Sequence, residues 1–383
     1  MSVLVRTYTD ADREGFAHVR SMVYRGGVPI ESSENLIRPD TYGTVALHNG
    51  KIVGGEIDID MTCTVRGKVV RNMGVASVGV LPEARRGGIG MEMLAKALPL
   101  YKERGAAMAS LMPFRATFYR KVGYATGGPR LSIQCPTHRL PSFQGELEVS
   151  QLTSDSIESI VPCYEAFAKK YSGMNVRGPE QWKWQLGGDN RFTIYTPGDP
   201  VEAYVSTRLT WNFWNDVEIR DFAWTTARGY RSILAFFRNL AINKLSVKWF
   251  GPANDPIIWR FDDQGLEVKH DGAMQYRILN VPEVVSSVES EAEGEFSFEV
   301  SDPQLPENQG PWTVRFRPGS TEITAGGTPD FRIEIGALTQ ACLGEPSFES
   351  VLAQGAVEVL RPEGVKAARR LLTPHPSFCL DFF

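Results

Sequence analysis

The stretch VGVLPEARRGGIGMEML, Val78 to Leu94, constrains the fold more than any other part of the chain. The residues leading into it, MGVASVGV, form a nearly continuous apolar run, which is the pattern of a buried strand. From GIGMEMLAKALPLYKERG a helix is expected, with Met93, Leu94, Ala97, Leu98 and Tyr101 on one face and Gly105 closing it. A glycine-rich turn between a strand and a helix exposes unpaired backbone N–H groups at the positive end of the helix dipole, and so suits a phosphate group. Arg85 and Arg86 add positive charge there. Two other phosphate loops fit less well, because no G-x-x-x-x-G-K-[ST] occurs and GGIGMEM lacks the third glycine of the dinucleotide pattern.

The surroundings read as mixed α/β. VLVRTY alternates as a strand, and DADREGFAHVRSMVYRG follows as a helix with Thr9 or Asp10 as cap and Gly26 as stop. TVALHNGKIVGGEIDID holds two strands joined by Asn49-Gly50, a strong hairpin signal, and the β-rich MTCTVRGKVVRN pairs onto them. After the amphipathic helix come a short strand, AAMASLM, then Pro113 and a brief helix, ATFYRKVG.

A similar order recurs further on: a strand at Asp221 to Trp224, a helix in GYRSILAFFRNLAINK with Ile233, Leu234, Phe237, Leu240 and Ala241 on one side, then the strand LSVKWFGP. The segment NDPIIWRFDDQGLEV echoes PFRATFYRKVGYAT, but the second copy has only TTARGYR where the first has LPEARRGGIG. Trp182, Trp184, Trp211, Trp214 and Trp224 are read as core rather than as a ligand cage. The last hundred residues change character. After the acidic link SVESEAEGEF, WTVRFRPGSTEITAG and DFRIEIGALTQACLG are expected as strands, and SFESVLAQG and GVKAARRLLT as helices, in a small α+β module.

Composition narrows the function. The 383 residues suggest two or three domains, and 42% hydrophobic with 22% charged residues supplies ample core. No apolar run approaches the roughly 20 residues of a membrane span, and the start lacks signal-peptide features, so no membrane partner and a cytoplasmic location are expected. The five cysteines are scattered without a C-x-x-C spacing, so buried thiols are expected rather than disulfides or a metal site. A net charge of −4 argues against a nucleic-acid partner and leaves room for a cationic substrate.

Arg85-x-x-Gly88-x-Gly90 matches the acyl-coenzyme A pyrophosphate loop of the GNAT superfamily of N-acetyltransferases, and the elements around it follow that superfamily's order. With PFRATFYRKVGY after the second strand, a degenerate second copy and a C-terminal module ending in phenylalanine, the whole chain resembles the enhanced intracellular survival (Eis) family. The third domain of that family resembles sterol carrier proteins. GGIGMEM departs from the bulkier run familiar in Eis proteins and is closer to the general superfamily. The resemblance implies an α/β (α+β) fold of two tandem GNAT-like domains, 1–148 and a degenerate 149–283, followed by a sterol-carrier-protein-like domain, 284–383.

The resemblance further implies an N-acetyltransferase that uses acetyl-CoA as cosubstrate. Coenzyme binding would fall to Val78, Gly79 and Val80 on the strand, to Arg85, Arg86, Gly87, Gly88, Ile89, Gly90 and Met91 in the loop, and to Phe114 and Arg115. Tyr119 would be the proton donor to the departing thiolate. The chain's own terminal carboxylate, on Phe383, would be the proton acceptor, buried by the Phe382 and Phe383 rings, with Asp381 helping to attract a cationic amine. Homo-oligomers, specifically hexamers, are expected by resemblance alone. The acceptor stays open among aminoglycosides, polyamines and protein lysines. Two rival readings are a lipid-binding carrier working through the C-terminal domain, and an inactive scaffold.

Overall fold

The computed structural model describes residues 3–143, 147–152, 154–186, 192–208, 215–261 and 264–383, so Trp211 and Trp214 lie outside the described residues. Two compact units emerge: one of Met1–Gly127, Met274–His375 and Phe382–Phe383, the other of Gly128–Ala273 and Pro376–Asp381.

The first unit opens with β1 (Leu4–Thr7), α1 (Arg13–Tyr24), β2 (Thr41–His48), β3 (Lys51–Val65) and β4 (Lys68–Val80). Thr9 and Asp12 form a capping box ahead of α1. Asn49 and Gly50 turn β2 into β3 with φ of 52° and 75°, the paired left-handed conformation that a tight hairpin requires. Arg66 and Gly67 repeat this turn between β3 and β4, at φ 49° and 82°, so the β-rich MTCTVRGKVVRN divides at that point. The strained Arg66 is held by its side chain, which donates to the carbonyls of Ala341 and Cys342 at 3.1 and 2.8 Å.

Next come α2 (Ile89–Glu103), β5 (Met108–Leu111), α3 (Ala116–Arg120) and β6 (Ala125–Thr126). The strands line up as β1-β2-β3-β4-β5, then Gln275–Ile278 from far along the chain, then β6. The inserted strand is fixed by Arg277, whose fully buried guanidinium pairs with the equally buried Asp302 at 2.6 Å. The expected apolar face of α2 is realised: Met93, Leu94, Ala97, Leu98 and Tyr101 are all buried.

One feature of this sheet prepares the site. β4 pairs with β3 along most of its length, through a bulge at which Ser77 takes φ 52°. On its other side it pairs with β5 only from Asn72 to Gly74. Val75 to Val80 therefore run on past β5 as a splayed edge.

The second unit contains β7 (Leu131–Pro136), β8 (Val149–Leu152), α4 (Val161–Ala168), β9 (Asn175–Val176), α5 (Pro179–Leu186), β10 (Thr193–Pro197), β11 (Ala203–Arg208), β12 (Asn215–Trp224), α6 (Ala227–Asn239), β13 (Lys244–Gly251) and β14 (Glu267–His270). Its sheet runs β14-β7-β13-β12-β11-β10-β8. The splay recurs, since β12 pairs with β13 in parallel only as far as Glu218. Ile233, Leu234 and Phe237 of α6 are fully buried, while Leu240 and Ala241 fall in a 3₁₀ turn after the helix. Trp182 and Trp224 belong to the core, and Trp184 is half-buried.

The remaining elements of the first unit follow β15, the inserted Gln275–Ile278: α7 (Val281–Ser286), β16 (Gly294–Ser301), β17 (Trp312–Arg317), β18 (Ser320–Ala325), β19 (Phe331–Glu334), α8 (Ile335–Leu343), α9 (Phe348–Ala353), β20 (Val357–Val359) and α10 (Pro362–Leu371). Five strands make the sheet β18-β17-β16-β19-β20. The expectation that DFRIEIGALTQACLG is strand throughout is corrected: alternation holds only for Phe331 to Glu334. From Ile335 the buried set Ile335, Leu338, Thr339 and Cys342 follows helical spacing instead. All five cysteines are buried, and none of them is in a disulfide. No helix among the described residues is long and apolar enough to cross a membrane.

Candidate active site

The turn from β4 to α2 is exposed from Arg85 to Gly88 and anchored by the buried Ile89. Arg86 and Gly88 stand at φ 65° and 81°. No side chain caps the N-terminus of the fifteen-residue α2. A helix leaves its first N–H groups without internal partners, and left-handed residues in such a turn gather further N–H groups into a concave set. An anionic group suits that concavity, at the positive end of the α2 dipole. Gly90 brings three elements together: a Cβ there would lie 3.4 Å from Val80 and 3.5 Å from Phe118. Met91 is half-buried against the core formed by Met73, Val75 and α2.

The splayed edge of β4 supplies a second set of backbone groups. Leu81 donates its N–H to Val53 at 2.9 Å, on the β3 side. Successive residues of a strand point to alternate edges, so Val78 and Val80 turn their polar groups to the open edge. There the Tyr24 hydroxyl, from the end of α1, donates to the Val78 carbonyl at 2.6 Å, and Arg85 Nε donates to the Val80 carbonyl at 3.0 Å. Gly79 passes under α1, where a Cβ would sit 3.2 Å from the Val23 side chain.

Tyr119, on α3, is 3% exposed. Its ring meets Phe114, Phe118 and Tyr124 edge-on, with centroids 5.6, 5.2 and 6.2 Å away. Burial is the first cause that pushes its phenol pKa above the ordinary value, and nearby Tyr24 and Glu56 add to it. Such a phenol keeps its proton at neutral pH. Phe114 and Arg115 are both exposed, Phe114 strongly so. Tyr124 is sealed in the core with a hydroxyl that finds no partner.

The end of the chain is split. The Phe383 ring is half-buried in the cluster of Phe16, Ile57, Ile59 and Met61. It lies so close to β4 that a Cβ on Gly74 would be 3.0 Å from it and 2.7 Å from Met61. Phe382 is 53% exposed, so of the two terminal rings expected to bury the carboxylate only that of Phe383 is itself half-buried. Asp381 is also corrected as a lure for the amine: it is 3% exposed and its charge is matched by Arg177. Phe383 and Tyr119 fall in separate clusters, one with Ala76 and the other with Met73 and Val75, so the two residues come to β4 from opposite faces.

Sequence reasoning passed over the buried carboxylates Glu56 and Asp58 on β3. Their signal lay in the alternation of GEIDID, which gives Ile57 and Ile59 to one face and acids to the other. Glu56 accepts a hydrogen bond from Tyr101, while Asp58 accepts from Thr44 at 2.6 Å and Arg104 at 2.7 Å. Burial first, then the Asp58 charge, raises the Glu56 pKa well above its usual 4.5. A carboxyl raised on folding contributes stability that is present below the unfolded-state value and is lost as pH rises through the folded-state value. Glu56→Gln stays neutral throughout. Its melting temperature is therefore expected to gain on that of the parent as the buffer moves from mildly acidic to alkaline; a difference independent of pH in thermal melts would show that Glu56 is ionised in the fold.

Among the described residues, the turn of the second unit that corresponds to the open glycine turn, between β12 and α6, is closed. Thr226 caps α6 by accepting from Gly229 N–H at 3.1 Å, and it donates in turn to Glu202 at 2.6 Å. Arg228 Nε also binds Glu202, at 2.8 Å. The protein's own carboxylate thus sits at the helix end where the first unit presents free donors.

Comparisons with known proteins bear on the domains and the fold. Residues 4–127 and 173–278 each match a family model described as an acetyltransferase (GNAT) domain, and residues 281–380 match a sterol carrier protein domain. The chain therefore carries two acetyltransferase (GNAT) domains. It is an acetyltransferase with two GNAT domains ahead of a sterol carrier protein domain. Its fold is similar to that of Eis1 from Mycobacterium abscessus, at 20% identity over 100% of both chains and a TM-score of 0.82. A GCN5-related N-acetyltransferase from Anabaena variabilis is similar over 100% of both chains, at 19% identity and a TM-score of 0.88. Another from Kribbella flavida is similar over 100% of this chain and 98% of its own, at 19% identity and a TM-score of 0.80. No curated protein sequence matches significantly.

Proposed function

We propose that the chain transfers an acetyl group from acetyl-CoA to a primary amine of a cationic acceptor, an aminoglycoside, a polyamine or a lysine, at the splayed edge of β4. The observation that carries this reading is the conjunction of an uncapped, left-handed glycine turn with an unpaired strand edge in the first unit, against a sealed turn in the second. Acetyl-CoA brings the activated thioester. Arg85 to Met91 hold its pyrophosphate, Val78 and Val80 bond its pantetheine arm, and the exposed Phe114 and Arg115 border the same site. Tyr24 must release the Val78 carbonyl for this.

Transfer requires an unprotonated amine, a donor for the oxyanion and a proton for the leaving thiolate. The Val80 N–H at the open edge serves the oxyanion, with Gly79 beside it. Tyr119 keeps its proton until the thiolate leaves and then donates it. The terminal carboxylate of Phe383 accepts the amine proton. Its ring reaches β4 from the face opposite Tyr119, so deprotonation and protonation occur on the two sides of the reacting carbonyl. A cytoplasmic location and a hexameric assembly complete the reading.

The experiment is coenzyme release with acetyl-CoA and a panel of neomycin, spermidine and a lysine peptide, run beside lipid extraction of the purified protein. Acetylation of at least one amine supports the reading. Lipid uptake with no acetylation of any amine would favour a carrier instead.

A further inference from the structure

Two carbonyls on the open edge of β4 are already taken, each by a side chain of the same first unit. The Tyr24 hydroxyl donates to Val78 at 2.6 Å, and Arg85 Nε donates to Val80 at 3.0 Å. The two caps differ in what removes them. Arg85 is charged, exposed and next to the glycine turn, so a pyrophosphate there competes for its guanidinium directly. Tyr24 covers a carbonyl further from the turn. Burial pushes its phenol up to about 12, so it stays a neutral donor at physiological pH and leaves Val78 by exchange with another donor.

The backbone of Tyr24 is fixed while its side chain has room to turn. It is the last residue of α1, and the chain after it folds back: the N–H groups of Arg25 and Gly27 both donate to the Ser21 carbonyl at 3.0 Å, and Ser21 Oγ donates to Val28 at 2.7 Å. Arg25 pairs with Glu34 at 2.6 Å. The preceding residue, Val23, is seated on β4, 3.2 Å from where a Cβ on Gly79 would stand. Tyr24 itself is 51% exposed. Its hydroxyl therefore leaves Val78 by rotation of the side chain into solvent, with α1 still seated.

An unpaired strand edge is a hazard in a free protein, because any extended segment can pair with it, and a removable cap protects it. The cap also sets the grip on a ligand. An arm that bonds Val78 gains one hydrogen bond by breaking another, and the form of the enzyme with Val78 uncovered is the minor one, so the measured affinity is lower than the contacts alone would give. The nucleotide end of the coenzyme, at the turn, bears no such loss. CoA keeps the arm of acetyl-CoA after the acetyl group has gone, and a cap that retakes Val78 favours its departure, a step that limits turnover in many enzymes.

We propose that Tyr24 is an exchange residue for the pantetheine arm: it gives up the Val78 carbonyl when acetyl-CoA binds and retakes it when CoA leaves. The proposal rests on the reading of this edge as the pantetheine site.

The test measures dissociation constants of acetyl-CoA, CoA and 3′-phospho-ADP, which is the coenzyme without its arm, for the parent and Tyr24→Phe, with a thermal melt of each. Phenylalanine removes only the hydroxyl. Acetyl-CoA and CoA are expected to bind the variant roughly two- to tenfold more tightly, the range of one exchanged hydrogen bond, and 3′-phospho-ADP to bind both proteins equally. The second readout is the NMR signal of ring-13C tyrosine assigned to Tyr24 by its absence from Tyr24→Phe. It is expected to move on adding CoA to the parent and to hold still with 3′-phospho-ADP. Affinity for acetyl-CoA and CoA that is unchanged or weaker in Tyr24→Phe would overturn the exchange, as would an equal gain for 3′-phospho-ADP or a Tyr24 signal that CoA leaves in place. A parent that binds 3′-phospho-ADP but neither acetyl-CoA nor CoA would refute the reading of the edge, and the exchange with it.

Discussion

Removing Phe383, or extending the chain past it with a short tag, is expected to leave a folded protein that binds acetyl-CoA but transfers acetyl groups about a hundredfold or more slowly, the range typical for loss of a general base. A carboxylate that must meet the amine tolerates neither displacement nor conversion to an amide. The fold should survive, because only one half-buried ring is lost from the Phe16 cluster. Coenzyme binding should survive too, because the turn from Arg85 to Gly88 is built from its own backbone and arginines. A tail that is only docked predicts the reverse. Loss of a buried phenylalanine would then cost up to about 2 kcal/mol of stability, with full activity in the folded fraction. Melting curves and turnover of the native, truncated and tagged chains separate these accounts.

Tyr119→Phe is expected to lower kcat by about a hundredfold or more while leaving the dissociation constant of acetyl-CoA nearly unchanged, because the lost proton is needed only in the transition state. The edge-on packing with Phe114, Phe118 and Tyr124 uses the ring, which the substitution keeps. Tyr124→Phe is the control. Its hydroxyl is buried without a partner, so removing it should stabilise the fold or leave it unchanged, with turnover intact. A larger loss of turnover in Tyr124→Phe than in Tyr119→Phe would reassign the proton donor.

Much of the first unit was legible because its signals are local. Asn49-Gly50 specified a hairpin, the spacing from Met93 to Tyr101 specified a buried helical face, and RRGGIG specified an open helix start. The long-range features had no such signal. Nothing near Gln275 reports that it pairs with Leu111, since register between segments so far apart is set by tertiary packing. The helix at Ile335–Leu343 was hidden by a short apolar run whose period suits either a strand or a buried helix. Asp381 was misread for a related reason. An acid beside two phenylalanines near a chain end looks like exposed charge, and only the fold brings Arg177 to it. Glu202 illustrates the same limit in the second copy: the absent glycines were visible, but the carboxylate that seals the helix end comes from a different strand connection.

The central claim is that acetyl transfer depends on the single open turn between β4 and α2. Gly88→Asp tests it most directly, because it places a carboxylate where the turn gathers its N–H donors; a Cβ would meet nothing within 4 Å, and Gly88→Asn, which adds the same backbone strain at φ 81° without the charge, is its control. The measurement is acetyl-CoA affinity and turnover in the parent and in Gly88→Asp, with a thermal melt of each. Binding and turnover lost together in a protein that still melts cooperatively is the predicted result. Undiminished acetyl-CoA affinity and turnover in Gly88→Asp would contradict the account.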